Sequence, residues 1–281
     1  MLFHRPETLE NVIGILEAGP VRLLAGGTDL YPGLRDGPPP AALIDLSRVP
    51  ALRGITRQEG GWRIGATTTW TDILRADLPP LFDGLRAAAR EVGSVQIQNA
   101  GTVAGNICNA SPAADGVPPL LTLEAEVELA GPAGRRRLPL AQFITGVRRT
   151  ALAPGELVTA LHIPEAPGAR SAFLKLGARR YLVISIAMVS AVVIPGEDGT
   201  LREVRLAVGA CSAVARRLPG LEAALTGRQP GAPLDDILGA ADLSALTPLD
   251  DVRGSAAYRL DAVREILGRV LAAALPGETH A

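Results

Sequence analysis

Apolar residues along the chain follow two rhythms, and one stretch follows neither. Between residues 3 and 20, Leu9, Val12, Ile13 and Leu16 recur at the spacing of one helix face, after a short strand. Pro6 suits a first turn, Thr8 is a candidate cap, and Gly19-Pro20 stops the run. Residues 21–25 and 41–47 are mainly apolar runs of strand length. Between them lie a glycine turn, a helical or turn segment reaching Arg35, and the loop 36-DGPPP-40. This order predicts a small α/β layer. From residue 51 alternation takes over, and a hairpin is predicted across Glu59-Gly60-Gly61. A short helix over 71–77, capped by Thr71, and a longer one over 81–93, ended by Gly93, are expected next. A strand pair follows over 125–130 and 136–139. Beyond the Pro/Gly-rich stretch 165-EAPGAR-170, strands over 172–176, 188–194 and 204–208 precede helices over 218–225 and 256–273. That succession predicts an α+β unit with antiparallel pairing.

Composition narrows the class. The 281 residues suffice for one large domain or two to three ordinary ones. With 47% apolar and 20% charged residues the balance is that of a soluble globular protein. A formal net charge of −1 and 3% aromatic residues argue against nucleic acid as a partner. Nearly all cations are arginine; Lys175 is the single lysine. Two cysteines, Cys108 and Cys211, cannot form a disulfide framework or ligate an iron–sulfur cluster alone. The N-terminal MLFHRPETLE lacks a signal-peptide pattern, and 182-LVISIAMVSAVVI-194 is too short to span a bilayer. A cytoplasmic location is expected.

Two stretches invite a ligand. In 22-RLLAGGTDLYPGL-34 a buried run meets Gly26 and Gly27, followed by Thr28 and Asp29; two residues without Cβ let the backbone turn and something bulky approach it. The bland alternative is a tight turn. The stretch that breaks both rhythms is 96-QIQNAGTVAGNICNASPAAD-115, dense in small and polar residues and expected to be a long functional loop. Its backbone N–H groups could converge into a nest for phosphate oxygens, with side-chain donors from Thr102 and Asn106. Asp115 could accept from a ribose hydroxyl.

These blocks, AGGTDL and GTVAGNICNASPAAD, resemble the FAD-binding subunit of the molybdenum hydroxylases, the family of bacterial xanthine dehydrogenase and aerobic carbon monoxide dehydrogenase. The resemblance continues at FLKLGARR, EVRLAVGACSAVARRL and GSAAYRLDAVREIL, so it covers nearly the whole chain. It implies an α+β fold: a two-part FAD-binding region of the vanillyl-alcohol-oxidase type (1–55 and 56–165), then a C-terminal α+β domain (166–281) with an antiparallel sheet and helices. By resemblance, Leu24, Ala25, Gly26, Gly27, Thr28, Asp29 and Leu30 form a first pyrophosphate loop. Thr102, Val103, Ala104, Gly105 and Asn106 form a second, and Asp115 and Lys175 match positions at the cofactor. Lys175 is then a point charge near the flavin; a solvated surface lysine is the alternative. Where the family usually has two adjacent glycines, this chain has Ala104-Gly105, costly only if residue 104 needs φ > 0.

The function implied is electron transfer: non-covalent FAD accepting electrons from iron–sulfur clusters on a small partner subunit, fed by a molybdenum cofactor on a large one, and passing them to NAD or another acceptor. Such a chain needs no catalytic acid or base. The alternatives are a self-contained FAD-dependent oxidase or dehydrogenase, which would need a general base over the flavin, and a scaffold that has lost FAD. His4, His162 and His280 fit no metal spacing; His162 reads as a strand residue. Cys108 and Cys211 read as small buried residues. Tyr181 is either an aromatic near the flavin or a packing tyrosine.

Overall fold

A computed structural model describes residues 1–34, 37–230 and 232–275. The expectations that fell on Arg35, Asp36 and His280 lie outside the described residues. The chain divides into two compact units.

The first unit comprises Met1–Ala76, Ser94–Ala110 and Ala125–Pro164. Its small sheet is parallel, ordered Leu2–His4, Ala42–Asp45, Arg22–Leu24, with the helix Leu9–Ala18 as the crossover. Thr8 caps that helix, its hydroxyl accepting from Asn11 N at 3.2 Å, as the α/β reading requires. The second sheet has five antiparallel strands, ordered Ile55–Gln58, Gly61–Gly65, Leu157–Pro164, Glu126–Gly131, Gly134–Pro139. Leu9, Val12, Ile44, Leu46, Val49 and Leu52 form one apolar cluster with Ala130 and Leu157 of the larger sheet. His162 is a strand residue, as expected, with Nε2 2.9 Å from Glu128 Oε2. A bulge between Val158 and Ala160 lets Thr159 donate to Glu128 Oε1 at 2.6 Å. Burial opposes ionisation of Glu128. The hydrogen bonds from Thr159 and His162, with the charge of Arg63, outweigh it and hold the carboxyl below its ordinary value.

The second unit comprises Asp77–Gly93, Ser111–Glu124 and Glu165–Ala281. Its sheet is antiparallel, ordered Arg170–Leu176, Ala187–Pro195, Leu201–Gly209, Arg216–Arg217. Ala187–Pro195 is buried on both faces along all but its last residue, which is why its sequence, apart from Ser190, is apolar instead of alternating. The helix Ala256–Ala274 packs on this strand, burying Val263, Leu267, Val270 and Leu271.

Two local expectations are corrected. The helix Trp70–Arg75 is capped by Thr69, not Thr71: Thr69 accepts from Asp72 N, Asp72 accepts from Thr69 N, and the Thr71 hydroxyl turns to Asn99 Oδ1 at 2.6 Å. The stretch 96–115 is not one long loop. It holds most of the helix Val95–Ala100 and all of Val103–Asn109. Ser94 and Thr102 cap these two with their hydroxyls, so short segments without large residues still close their turns.

Candidate functional site

The first glycine ribbon leaves the strand Arg22–Leu24 and runs into the short helix Leu30–Leu34. Gly27 turns it with φ +71, a conformation that side chains resist. Among the described residues, no hydrogen bond engages the backbone N–H of Gly26, Gly27, Thr28 or Asp29. Gly26, Gly27 and Thr28 are only partly buried and Asp29 is exposed. A run of unspent amides open to solvent is a ready acceptor for anionic oxygens.

The second ribbon lies directly against the first, within the same unit. A Cβ added at Gly26 would collide with the Ala100 carbonyl oxygen, and would stand 3.0 Å from Gly101 N. One added at Gly101 would stand 3.5 Å from Thr28 Oγ1. Gly101, which opens the second block, and Ala100, not singled out in the sequence, thus form the contact between the ribbons, and only glycine at 26 allows it.

Within residues 102–106 the nest reading is corrected, because the amides are spent inside the protein. Val103 N donates to Thr68 O at 3.0 Å and Ala104 N to Ala66 O at 3.3 Å. Gly105 N donates to Thr102 Oγ1 at 3.0 Å and Asn106 N to Thr102 O at 3.0 Å. What this segment offers a ligand is a side-chain group instead: Asn106 Oδ1 is buried with no hydrogen-bond partner among the described residues. An orphaned acceptor suits an N–H or O–H donor better than a phosphate. Ala104 lies in the helix Val103–Asn109 and is not at positive φ, so its methyl carries no backbone strain. Gly105 is needed where it stands, since a Cβ there would sit 2.8 Å from the capping Thr102 oxygen.

In the second unit Asp115 and Lys175 meet. Lys175 Nζ donates to Asp115 Oδ2 at 2.7 Å, and the two side chains are 6% and 9% exposed, which excludes a solvated surface lysine. Ser185 Oγ donates to Asp115 Oδ1 at 2.6 Å. Burial pushes the Asp115 carboxyl up from its ordinary value, while Lys175 and Ser185 pull it down. Ser185 stands 70 residues from its acceptor and carries no motif that marks it beforehand.

Cys211 is buried, as expected, with its thiol pushed up to about 11 by that burial. Cys108 is corrected: the helix buries Val103, Ala104 and Ile107 and leaves Cys108 exposed. Protein crowded around it still pushes its thiol up by desolvation, to about 12, although its surface is open; on either count it is not an activated thiolate at neutral pH. Tyr181 is 61% exposed with the Arg180 guanidinium 5.4 Å from its ring centre, so it is not a core-packing tyrosine. Among the described residues no group of three or more His, Cys, Asp or Glu side chains could hold a metal, and no helix is long and apolar enough to cross a membrane.

A parallel strand–helix–strand layer ending in a glycine ribbon with free amides, braced by a second ribbon, suits the diphosphate of a dinucleotide. Residues 1–166 match the model of the FAD binding domain in molybdopterin dehydrogenase, and residues 172–274 that of the CO dehydrogenase flavoprotein C-terminal domain. The xanthine dehydrogenase FAD-binding subunit of Escherichia coli O157:H7 is 30% identical, over 97% of this chain and 95% of its own length. Among solved structures, the carbon monoxide dehydrogenase of Hydrogenophaga pseudoflava superposes with a TM-score of 0.87 at 30% identity, covering 98% of this chain and 96% of that one. Quinoline 2-oxidoreductase from Pseudomonas putida 86 gives 0.86 at 26% identity, covering 98% and 96%. The chain belongs to the FAD-binding subunits of the molybdenum hydroxylases, as an oxidoreductase subunit whose cofactor is FAD.

Proposed function

We propose that the chain holds the FAD diphosphate on the free amides of its first ribbon and passes electrons from a partner subunit to NAD or another acceptor. The observation that carries this reading is the run of unspent N–H groups at Gly26, Gly27, Thr28 and Asp29, braced by Ala100 and Gly101. Leu24, Ala25 and Leu30 frame the first ribbon; Thr102, Val103, Ala104 and Gly105 frame the second and present Asn106 Oδ1 to a cofactor donor. Asp115 and Lys175, in the second unit, are further cofactor positions in this reading and form a buried, charge-compensated pair. The subdomains in this reading are 1–55, 56–165 and 166–281, a division supported by the parallel sheet ending at Asp45 and the five-stranded one beginning at Ile55.

Bound FAD would supply the exchange between one-electron and two-electron transfer. The protein's share is to bind and orient the cofactor and to compensate charge. The relatives are named for xanthine, nicotinate and carbon monoxide while sharing this subunit, which supports a substrate site elsewhere in the complex. The partners in this reading are an iron–sulfur small subunit and a molybdenum-cofactor large subunit, assembled as a dimer of heterotrimers in the cytoplasm. The acceptor is NAD or another oxidant, such as a quinone or oxygen.

Purification from the native source tests it. A yellow complex with releasable FAD and two further chains, reducing NAD or a dye with a purine, aldehyde or N-heterocycle, is the expected result. A lone chain that oxidises a small substrate by itself would overturn it.

A further inference from the structure

We infer that Asp115 is a positioning residue that pins both ends of an exposed apolar loop, residues 177–184, through Lys175 before it and Ser185 after it. One carboxylate oxygen serves each end: Oδ2 accepts from Lys175 Nζ at 2.7 Å and Oδ1 from Ser185 Oγ at 2.6 Å. The backbone closes the same base, with Ile186 N donating to Leu176 O at 2.8 Å. Lys175 Nζ also reaches Glu91 O at 3.5 Å, tying the pin to the end of the helix Asp83–Glu91.

The loop above this base is braced internally. Arg179 donates to Tyr181 O at 3.0 Å and to Leu182 O at 2.6 Å, and Arg180 Nε to the Tyr181 hydroxyl oxygen at 3.0 Å. Leu182 is held at φ +53, a left-handed conformation that a side chain adopts at a cost. The result is to present Tyr181, Leu182 and Ile184 to water at 61%, 56% and 53% exposure. Water disfavours that arrangement, and a loop free at its base would fold these side chains down. A doubly engaged carboxylate opposes the collapse. The inference goes beyond the cofactor reading, because it holds whether or not FAD also touches Asp115.

The test uses the full chain with its flavin, wild type and as Ser185→Ala, Ser185→Thr, Lys175→Gln and Asp115→Asn. Trypsin cleaves after Arg179 and Arg180, both exposed within the loop. Losing a buried hydrogen bond to a charged acceptor should speed cleavage there by roughly tenfold in Ser185→Ala. Ser185→Thr should return it toward wild type, and Lys175→Gln should move it in the same direction as Ser185→Ala. Hydrogen exchange over 177–184 should rise in parallel while exchange in Ala187–Pro195 stays put. Wild-type cleavage in Ser185→Ala, or cleavage rising equally at every arginine, would overturn the inference. If Asp115→Asn fails to fold, Ser185→Ala decides alone. Flavin loss in Asp115→Asn with unchanged loop cleavage would also overturn the pin, while leaving the cofactor reading intact.

Discussion

Replacing Gly26 with alanine adds one methyl at the point where the two ribbons meet. The new Cβ would fall on the Ala100 carbonyl oxygen, 2.5 Å from Ala100 C and 3.0 Å from Gly101 N. All three are backbone atoms, so no rotamer change relieves them. Restoring a carbon–oxygen separation of ~3.2 Å from 1.8 Å requires one ribbon to retreat by roughly 1.4 Å. Overpacking of this kind costs about 1–3 kcal/mol. If the amides of Gly26 to Asp29 hold the diphosphate, the same displacement should weaken FAD affinity by at least about tenfold, or ~1.4 kcal/mol. Two neighbours serve as controls. At Gly33 a Cβ meets nothing within 4 Å, so Gly33→Ala should leave affinity alone and stabilise by about 0.5–1 kcal/mol. At Gly27 the obstacle is the movable Tyr31 ring at 2.7 Å, but φ +71 remains, so Gly27→Ala should cost about 1–2 kcal/mol. The assay is fluorescence titration of FAD into the deflavinated chain, with thermal unfolding alongside. Wild-type affinity and stability in Gly26→Ala would refute both the ribbon contact and its role.

Thr102→Ala removes the cap from Val103–Asn109 and should cost about 1 kcal/mol in thermal unfolding, with Thr102→Ser recovering most of it. Ala104→Gly, which restores the family's glycine pair, should not tighten FAD binding, because residue 104 is helical; it should instead destabilise by about 0.8–1 kcal/mol. Glu128 has its folded value held below the ordinary one, so its contribution to stability is present above the unfolded value of 4.5 and lost as pH falls through the folded one. Urea unfolding of wild type should therefore weaken in acid below about 4.5, and Glu128→Gln should flatten that part of the profile.

Much of the fold was legible because it rests on periodicity. The helix starting at Leu9, the hairpin over Glu59-Gly60-Gly61 and the three long strands after 170 follow from apolar spacing and turn chemistry. The helices Val95–Ala100 and Val103–Asn109 escaped because segments this short, built from small residues, show no apolar face, and Thr102 read as a donor to a ligand instead of a cap. The ribbons were legible as glycine positions, but not the use of each amide. Whether Val103 N is free or bound to Thr68 O is decided by a chain segment 35 residues away. Asp115 and Lys175 were found singly; their pairing, and Ser185 beside them, are tertiary facts.

The account turns on where the diphosphate sits. Residue-resolved hydrogen exchange on the chain with and without FAD reads this directly, because those amides have no acceptor within the described protein. The account predicts that adding FAD slows exchange at Gly26, Gly27, Thr28 and Asp29, while Val103 to Asn106, already hydrogen-bonded, change little. FAD bound stoichiometrically with exchange at Gly26 to Asp29 unaltered would contradict it.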